Sequence, residues 1–447
     1  MKSIEHIQSL IQKISQEKTL WVAYSGGVDS HVLLHFLSQQ SFSHKIRAVH
    51  VNHGLSQFAV SWAQHCQKVC DDLPIPLTVV CVDARAPKGK SPEEYAREQR
   101  YDALKKLLTP QDVLLLAHHQ DDQSETLLLQ LCRGGGLPGL AAMSEEKKLG
   151  EITLLRPLLF STREEILNYA HFHQLNWIED DSNENASFNR NYLRHKIFPL
   201  LKVRWPSISR VLSRTASHCS DAQQLLNELA EMDFSQGSQA GTVSIPDILK
   251  LSKLRCMNVL RYWIRKKNFL LPSEIQLHEI VKTLLLSRRD AMPEIIFSHF
   301  ILRRYRDDLY LLPLAKNKIE SSVFFWEEGQ TLLLPGYGKL IPKKGKELFF
   351  QRLFISKSKF DKNYKLTIRF REGGERFHPA GRLGSHPLKK LMQEWGIPPW
   401  ERSHIPLIYV NDALACVVGK AVSIHFTKNE NKPEEEGVYI DFLFERE

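Results

Sequence analysis

Six residues constrain this chain more than any others. Ser25-Gly26-Gly27-Val28-Asp29-Ser30 stand between a β-prone apolar run at 20–24 and a stretch with helical apolar spacing at 31–37. A buried strand, a tight glycine turn and a helix start form an anion cradle, because backbone N–H groups of the turn face the ligand and the helix dipole favours negative charge. Gly26 and Gly27 let backbone approach a phosphate and admit positive φ. Ser25 and Ser30 add hydroxyl donors, whereas Asp29 would repel a phosphate unless it holds Mg²⁺ or a cationic group. All six, Val28 included, are therefore candidate nucleotide ligands. The competing reading is an ordinary strand-to-helix turn capped by Asp29 or Ser30. The string is neither a Gly-Lys-Ser/Thr phosphate loop nor a Gly-x-Gly-x-x-Gly dinucleotide turn.

Around that turn, strand patterns at 20–24, 46–51, 77–82 and 113–117 alternate with helical patterns at about 30–43, 56–72, 91–108 and 122–132. This predicts an α/β, doubly wound parallel-sheet domain covered on both faces. Ligands of such sheets bind beyond the carboxyl ends of the strands. Residues 24–30, 51–55, 83–93 and 117–125 all fall there. A long helix is expected over roughly 205–233, followed by a polar Gly/Ser-rich break at 235–241. Next comes a small, mostly helical domain with helices at 247–267 and 274–286, ending in a hairpin that turns at Arg306-Asp307-Asp308. Residues 322–444 read as short strands with one helix at 387–395, an α+β arrangement. A chain of 447 residues is expected to split into several cores, here 1–215, 216–320 and 321–447.

Several clusters fall at the expected site. Asp122 and Glu125 are three apart at a predicted helix start, within Ala117-His118-His119-Gln120-Asp121-Asp122-Gln123-Ser124-Glu125-Thr126. They read either as capping carboxylates or as a pair that holds an ammonium group or Mg²⁺. The adjacent histidines are poorly placed to face one zinc ion. Ser91-Pro92 opens a helix in which Glu93 and Arg97 are four apart, by default a surface pair, while Arg97 and Arg100 share a face that reaches phosphate. His50 and Val51 end the second strand and offer a wall for adenine. Arg133–Leu140 is glycine-rich and reads as a lid or a simple connection. Arg190 and Arg194, beside Tyr192, suit a nucleic-acid backbone.

Charge is unevenly placed. The net +9 concentrates between 331 and 405, where sixteen Lys+Arg face six Asp+Glu, while the last twenty residues are acidic. Concentrated positive charge suits a polyanion; a solvated basic face is the alternative. Seven scattered cysteines without a Cys-x-x-Cys point to reduced thiols. With no apolar run near the length of a membrane span and no hydrophobic signal core, no membrane partner is expected and a cytoplasmic protein is.

The string 25–30 resembles the pyrophosphatase-loop (PP-loop) signature of N-type ATP pyrophosphatases. Together with 50–55, 93–101, 117–126, Arg156-Pro157-Leu158, Asp181-x-Asn183, Arg190-Asn191-x-x-Arg194, Arg371-x-x-Gly374-x-Arg376-Phe377, Leu388-Lys389-Lys390 and Gly396-Ile397-Pro398-Pro399-Trp400-x-Arg402, it resembles the tRNA(Ile)-lysidine synthetase family. The resemblance implies a ligase that adenylylates the wobble cytidine of a CAU-anticodon tRNA(Ile) with ATP, then lets free L-lysine displace AMP to form lysidine. It implies Asp29, Arg97, Asp122 and Glu125 as catalytic, with Asp29 as a Mg²⁺ ligand and one of Asp122 and Glu125 as the base. Ser25–Ser30, His50 and Val51 would hold ATP. Arg190, Arg194, Arg371, Arg376, Arg382, Lys389, Lys390 and Arg402 would hold tRNA, with Phe377 and Trp400 as stacking surfaces. A homodimer is admitted. The alternatives are a tRNA thiolase of the same superfamily, which would need the cysteine pair this chain lacks, a small-molecule synthetase, which leaves the basic region unexplained, and a non-catalytic tRNA-binding protein.

Overall fold

The computed structural model describes residues 2–40, 42–54, 58–87, 89, 92–179, 188–235, 241–314, 323–327, 330–335, 338–342, 351–356, 364–428 and 437–446. Leu55, Ser91, the Glu93 side chain and the Asp181-x-Asn183 turn lie outside what is described. The chain forms two compact units, Met1–Ser235 and Gln236–Glu447.

The first unit is built on a six-stranded sheet. Its strands are β1 (Thr19–Ala23), β2 (Ile46–Asn52), β3 (Leu77–Cys81), β4 (Asp112–Leu115), β5 (Glu146–Leu149) and β6 (Ile152–Leu155), in the order β3-β2-β1-β4-β6-β5. All neighbours are parallel except the edge pair β5–β6. Alternate side chains enter two cores, as strand geometry requires. Leu20, Val22, Val113 and Leu115 pack with Leu33, Leu34 and Leu37 on one face. Trp21, Leu114 and Leu154 pack with Leu104 and Leu108 on the other. The helices of this part are α1 (Lys2–Gln12), α2 (Val28–Ser38), α3 (Ala59–Asp72), α4 (Pro92–Leu107), α5 (Gln120–Cys132), α6 (Leu137–Leu140) and α7 (Arg163–Phe172). The first crossover runs outward from β1 to β2, and the chain later returns to β4 on the other side of β1. The loops after β1 and β4 therefore diverge at a strand switch point, where α/β sheets place their ligands.

The glycine-rich 133–140 segment is a connection. Gly135 donates to the Gln130 carbonyl at 2.8 Å, and a side chain at Gly135 would meet that oxygen at 2.9 Å. The helix over Ile208–Ser235 is unbroken and its start is tied to α5 by the Ser124 hydroxyl, which donates to the Ser209 carbonyl at 2.8 Å. That continuity puts the unit boundary after Ser235, not near the 215 drawn from the sequence.

In the second unit, residues 243–313 combine helices with a four-stranded sheet, so this part is less helical than its sequence pattern suggests. The hairpin Phe300–Tyr305/Asp308–Pro313 turns at Arg306, whose φ is 55°. Farther on, a five-stranded and a four-stranded sheet share a core that includes Trp326, Leu340, Leu353, Ile368, Ile408 and Phe442. The helix Leu388–Glu394 packs on Phe377, Ile397, Leu407 and Val417.

Two expectations, for Phe377 and Arg402, fail here on burial, and the half-buried Trp400 already has ring partners. Phe377 is 2% exposed and packs in that core, so it offers no stacking face. Trp400 is packed edge-on against Tyr305 and Tyr310, at centroid distances of 6.1 and 5.3 Å, with the Arg303 guanidinium 5.1 Å over its ring. Arg402 is buried and donates to the Ile397 carbonyl at 2.9 Å and the Tyr305 hydroxyl at 3.4 Å, so it ties parts of the unit together and is not open to tRNA. A buried acceptor left without its donor costs about 1–3 kcal/mol. Arg402→Ala is expected to lower the unfolding free energy by about 2 kcal/mol, read from denaturant midpoints. An unchanged midpoint would return Arg402 to the surface.

Candidate active site

The turn after β1 shows why its residues are of these types. Gly26 has φ +88°, and an added Cβ would lie 2.7 Å from Ile178 Cδ1; the Ile178 N–H also donates to the Gly26 carbonyl at 2.9 Å. Only glycine fits. Ser30 Oγ donates to the Gly27 carbonyl at 2.9 Å, lies 3.1 Å from Ser25 Oγ and accepts from the Ser25 N–H at 3.2 Å. Val28 is buried as the first residue of α2, and the Gly27 N-cap position has no side chain to fill it. Beneath the turn, His50 is buried and donates Nδ1–H to the Tyr24 carbonyl at 3.0 Å. The His50 side chain therefore fastens the end of β1, and Val51 follows it near the strand end.

Opposite, α5 begins at a capping box: the His119 N–H donates to Asp122 Oδ2 at 2.9 Å, and His119 Nδ1 accepts from the Asp121 N–H at 3.2 Å. Nδ1 being an acceptor, the His119 proton sits on Nε2. That nitrogen points between Asp29 Oδ2 at 3.8 Å and Asp122 Oδ2 at 3.5 Å. The switch point thus joins the two loops through one imidazole. The other Asp29 oxygen is bound by Arg163, the first residue of α7.

Asp122 and Glu125 are only 8% and 2% exposed. Two arginines saturate them. Arg190 reaches Glu125 Oε2 at 2.8 Å and Asp122 Oδ1 at 2.9 Å. Arg194 reaches Glu125 Oε1 at 2.7 Å and Asp122 Oδ1 at 3.2 Å. Burial alone would raise the Asp122 carboxyl, but His119, Arg190 and the His119 backbone N–H outweigh it and hold the group well below the ordinary carboxylate range. Burial likewise opposes charge on Arg190, yet Asp122 and Glu125 keep its guanidinium firmly protonated. The sequence placed Arg190 and Arg194 on a tRNA backbone; the structure turns both into the site as counter-ions.

Behind this quartet, buried Arg156 donates Nε–H to His118 Nδ1 at 3.3 Å and Nη1–H to the Ser144 carbonyl at 2.6 Å. Arg97 is exposed on α4, with its guanidinium 5.1 Å over the Tyr101 ring. The remaining sequence candidates lie in the second unit. Arg371 is 3.6 Å from Glu375, Arg382 is paired with Glu394 at 2.5 Å, and Arg376 donates to the Ser385 carbonyl at 2.5 Å. Lys389 and Lys390 are exposed on the helix Leu388–Glu394.

Sequence reasoning missed Arg163 and gave Arg156 no role. A signal existed for the first: a cation at the first position of a helix opposes the helix dipole and so wants an anion nearby. For the second, no local pattern marks the partner.

A glycine turn after β1, facing acidic and basic groups after β4 across a parallel-sheet switch point, defines an ATP-type PP-loop domain. The family model described as PP-loop domain matches residues 1–201, and those described as TilS substrate binding domain and TilS substrate C-terminal domain match 244–310 and 366–441. A tRNA(Ile)-lysidine synthase of Coxiella burnetii is 42% identical over 98% of this chain and 96% of its own length. Relatives of the same name from Legionella pneumophila (strain Paris) and Serratia proteamaculans are 40% and 41% identical, over 94% and 93% of this chain and 95% and 94% of theirs. This chain belongs to the tRNA(Ile)-lysidine synthase family.

Breaking a buried ion pair from one side costs about 3–5 kcal/mol. With the arginines still partly wet, Glu125→Gln is expected to cost about 3 kcal/mol, measured by denaturant unfolding. A loss under about 1 kcal/mol would mean that the quartet is solvent-screened.

Proposed function

We infer that this chain joins L-lysine to C2 of the wobble cytidine of a CAU-anticodon tRNA(Ile), an ATP-dependent ligation that releases pyrophosphate and AMP. The observation that carries this reading is the near end-to-end match to synthases of that name, with the PP-loop and both TilS domains in one chain. A small-molecule synthetase would leave the basic stretch 331–405 unexplained, and no Cys-x-x-Cys is present for a thiolase.

The residues divide the work as follows. Backbone N–H groups of 25–30 and the start of α2 would hold the ATP phosphates. Cytidine O2 attacks the α-phosphorus and pyrophosphate leaves; the lysine amine then attacks C2, and the C–O bond to AMP breaks. Negative charge gathers on phosphoryl oxygens in the first step, and preorganised guanidinium groups are the effective stabilisers of such charge. Arg190 and Arg194, pinned by Asp122 and Glu125, suit that role, and Arg97 stands ready from α4.

A lysine ε-amine with a pKa near ~10.4 must lose a proton before it attacks. Asp122 and Glu125 were the expected acceptors. Asp122 is held too low to be an effective base, and both carboxylates are occupied by arginines. They serve this reading better as the frame of the site and as an acidic surround for the incoming ammonium. Asp29 would be the protein's ligand for Mg²⁺, which when bound neutralises phosphate charge. Among the described residues no three His, Cys, Asp or Glu side chains are arranged to hold a metal ion by themselves, so phosphate and water would complete the shell. Exposed Arg376, Lys389 and Lys390, with Arg371 and Arg382, are proposed for the tRNA backbone. Lysine as the amine donor, a cytoplasmic setting and a homodimer belong to the same reading. No helix among the described residues is long and apolar enough to cross a membrane.

Two measurements test it. Asp29→Asn is expected to slow tRNA-dependent AMP formation about 100-fold or more while tRNA is retained on a filter. Near-normal AMP release would remove Asp29 from the phosphate site. Exchanging Lys389 and Lys390 together for Gln should weaken tRNA binding and make the slope of log affinity against log salt shallower by up to about 2, since each lost phosphate contact is worth roughly 0.9. An unchanged slope would take that helix off the nucleic acid.

A further inference from the structure

His118 is a titratable group beside the site that the mechanism above does not use. Its Nδ1 accepts the Nε–H of Arg156, a residue 3% exposed and further anchored by the Ser144 carbonyl. With Nδ1 occupied as an acceptor, the ring proton must sit on Nε2. That nitrogen has no hydrogen-bond partner among the described residues, and the ring is partly open to solvent. The charged groups that face the ring are Asp122 from α5, Arg97 from α4, Arg190 and Arg156. Burial, reinforced by Arg156, Arg190 and Arg97, pushes the imidazole down to about 3, so the ring stays neutral across the working range of an enzyme.

These features exclude some roles and leave one. A base needs a free lone pair, and the only one is spent on Arg156. An acid needs a proton it can give up and regain near neutral pH, which a neutral imidazole does not offer. A neutral N–H fixed in direction, with three guanidinium groups around it, is a hydrogen-bond donor for an anionic oxygen.

We propose that His118 is a catalytic residue of the adenylylation step, donating Nε2–H to a phosphoryl oxygen of the α-phosphate, and that Arg156 is the positioning residue that fixes its tautomer. No bond is made or broken by His118; it holds an oxygen whose charge grows as pyrophosphate departs. The proposal rests on the ligase reading. It differs from the role of His119, whose Nε2 is spent between Asp29 and Asp122.

Single-turnover tRNA adenylylation tests it, on full-length His118→Gln, His118→Asn and His118→Ala, with ATP and tRNA affinities measured alongside. Glutamine carries its amide N–H out to about where Nε2 lies; asparagine places it near Nδ1. Expected is a rate loss of about 100-fold for His118→Ala and His118→Asn, with affinities within about threefold, and recovery of at least about tenfold in His118→Gln. Equal rates in Gln and Asn variants, or an Ala variant within about threefold of the unaltered chain, would overturn the donor role. The Gln–Asn comparison stands even if His118→Ala fails to fold. For Arg156, ¹⁵N shifts of the His118 ring are expected to report the Nε2–H form in the unaltered chain and a mixture in Arg156→Gln. An unchanged tautomer would overturn the positioning role. Should the unaltered chain itself form no AMP with CAU-anticodon tRNA, the ligase reading fails, and a defect confined to the His118 variants cannot be mistaken for that.

Discussion

The buried quartet of Asp122, Glu125, Arg190 and Arg194 is the interaction on which the site depends. Its members come from two distant stretches, the helix after β4 and the short helical run that begins at Asn189. Two charges 4 Å apart attract by about 4 kcal/mol at the effective dielectric of a protein surface, while stripping water from each ion costs several kcal/mol. The balance is near even, so stability alone does not explain four charges placed inside a domain. What the arrangement does achieve is direction. Two guanidinium groups are fixed beside a phosphate-binding turn, with their carboxylate partners supplying the acidic side of the same pocket.

The topology makes that placement unavoidable once the strands are set. The return from β3 to β4 across β1 forces the loops after β1 and β4 to part at one point, and His119 spans the gap between Asp29 and Asp122. A wide helical turn over Leu193–Ile197 separates two ordinary helical segments in the stretch that bears Arg194. Such single wide turns are frequent at functional sites. Arg190 precedes it and Arg194 lies within it, and both reach the same two carboxylates.

Four of the six strands of the first sheet, β1 to β4, were legible in the sequence because their signal is local, whereas β5 and β6 were not expected. The run 113–116 is apolar throughout, as a strand covered on both faces must be, and the helix starts at Pro92 and Gln120 carry caps or proline. The phosphate turn was legible for the same reason, Gly26 being demanded by its φ and by Ile178. What was not legible is pairing over distance. Nothing near Arg190 says that Glu125 awaits it, and a basic residue on an amphipathic stretch reads equally as a surface cation. The sheet strands Glu294–Ile296 and Val243–Ser244 were lost for want of length, since two or three residues carry no period.

Local charge counting misleads for a related reason. Among the cations that made 331–405 look like one polyanion surface, Arg402 is a buried hydrogen-bond donor and Arg382 is already paired, while Lys389 and Lys390 are open to solvent. Arg304, outside that stretch, caps the end of a helix by giving one nitrogen to the carbonyls of Leu284, Leu285 and Ser287. Guanidinium groups can satisfy several carbonyls at once and tolerate burial, whereas an ammonium is strongly hydrated and stays outside. Counting arginines and lysines alike therefore overstates the charge available to a partner. The exposed lysines are the better guide to the charge the second unit leaves available, and buried Arg304 and Arg402 to what holds that unit together.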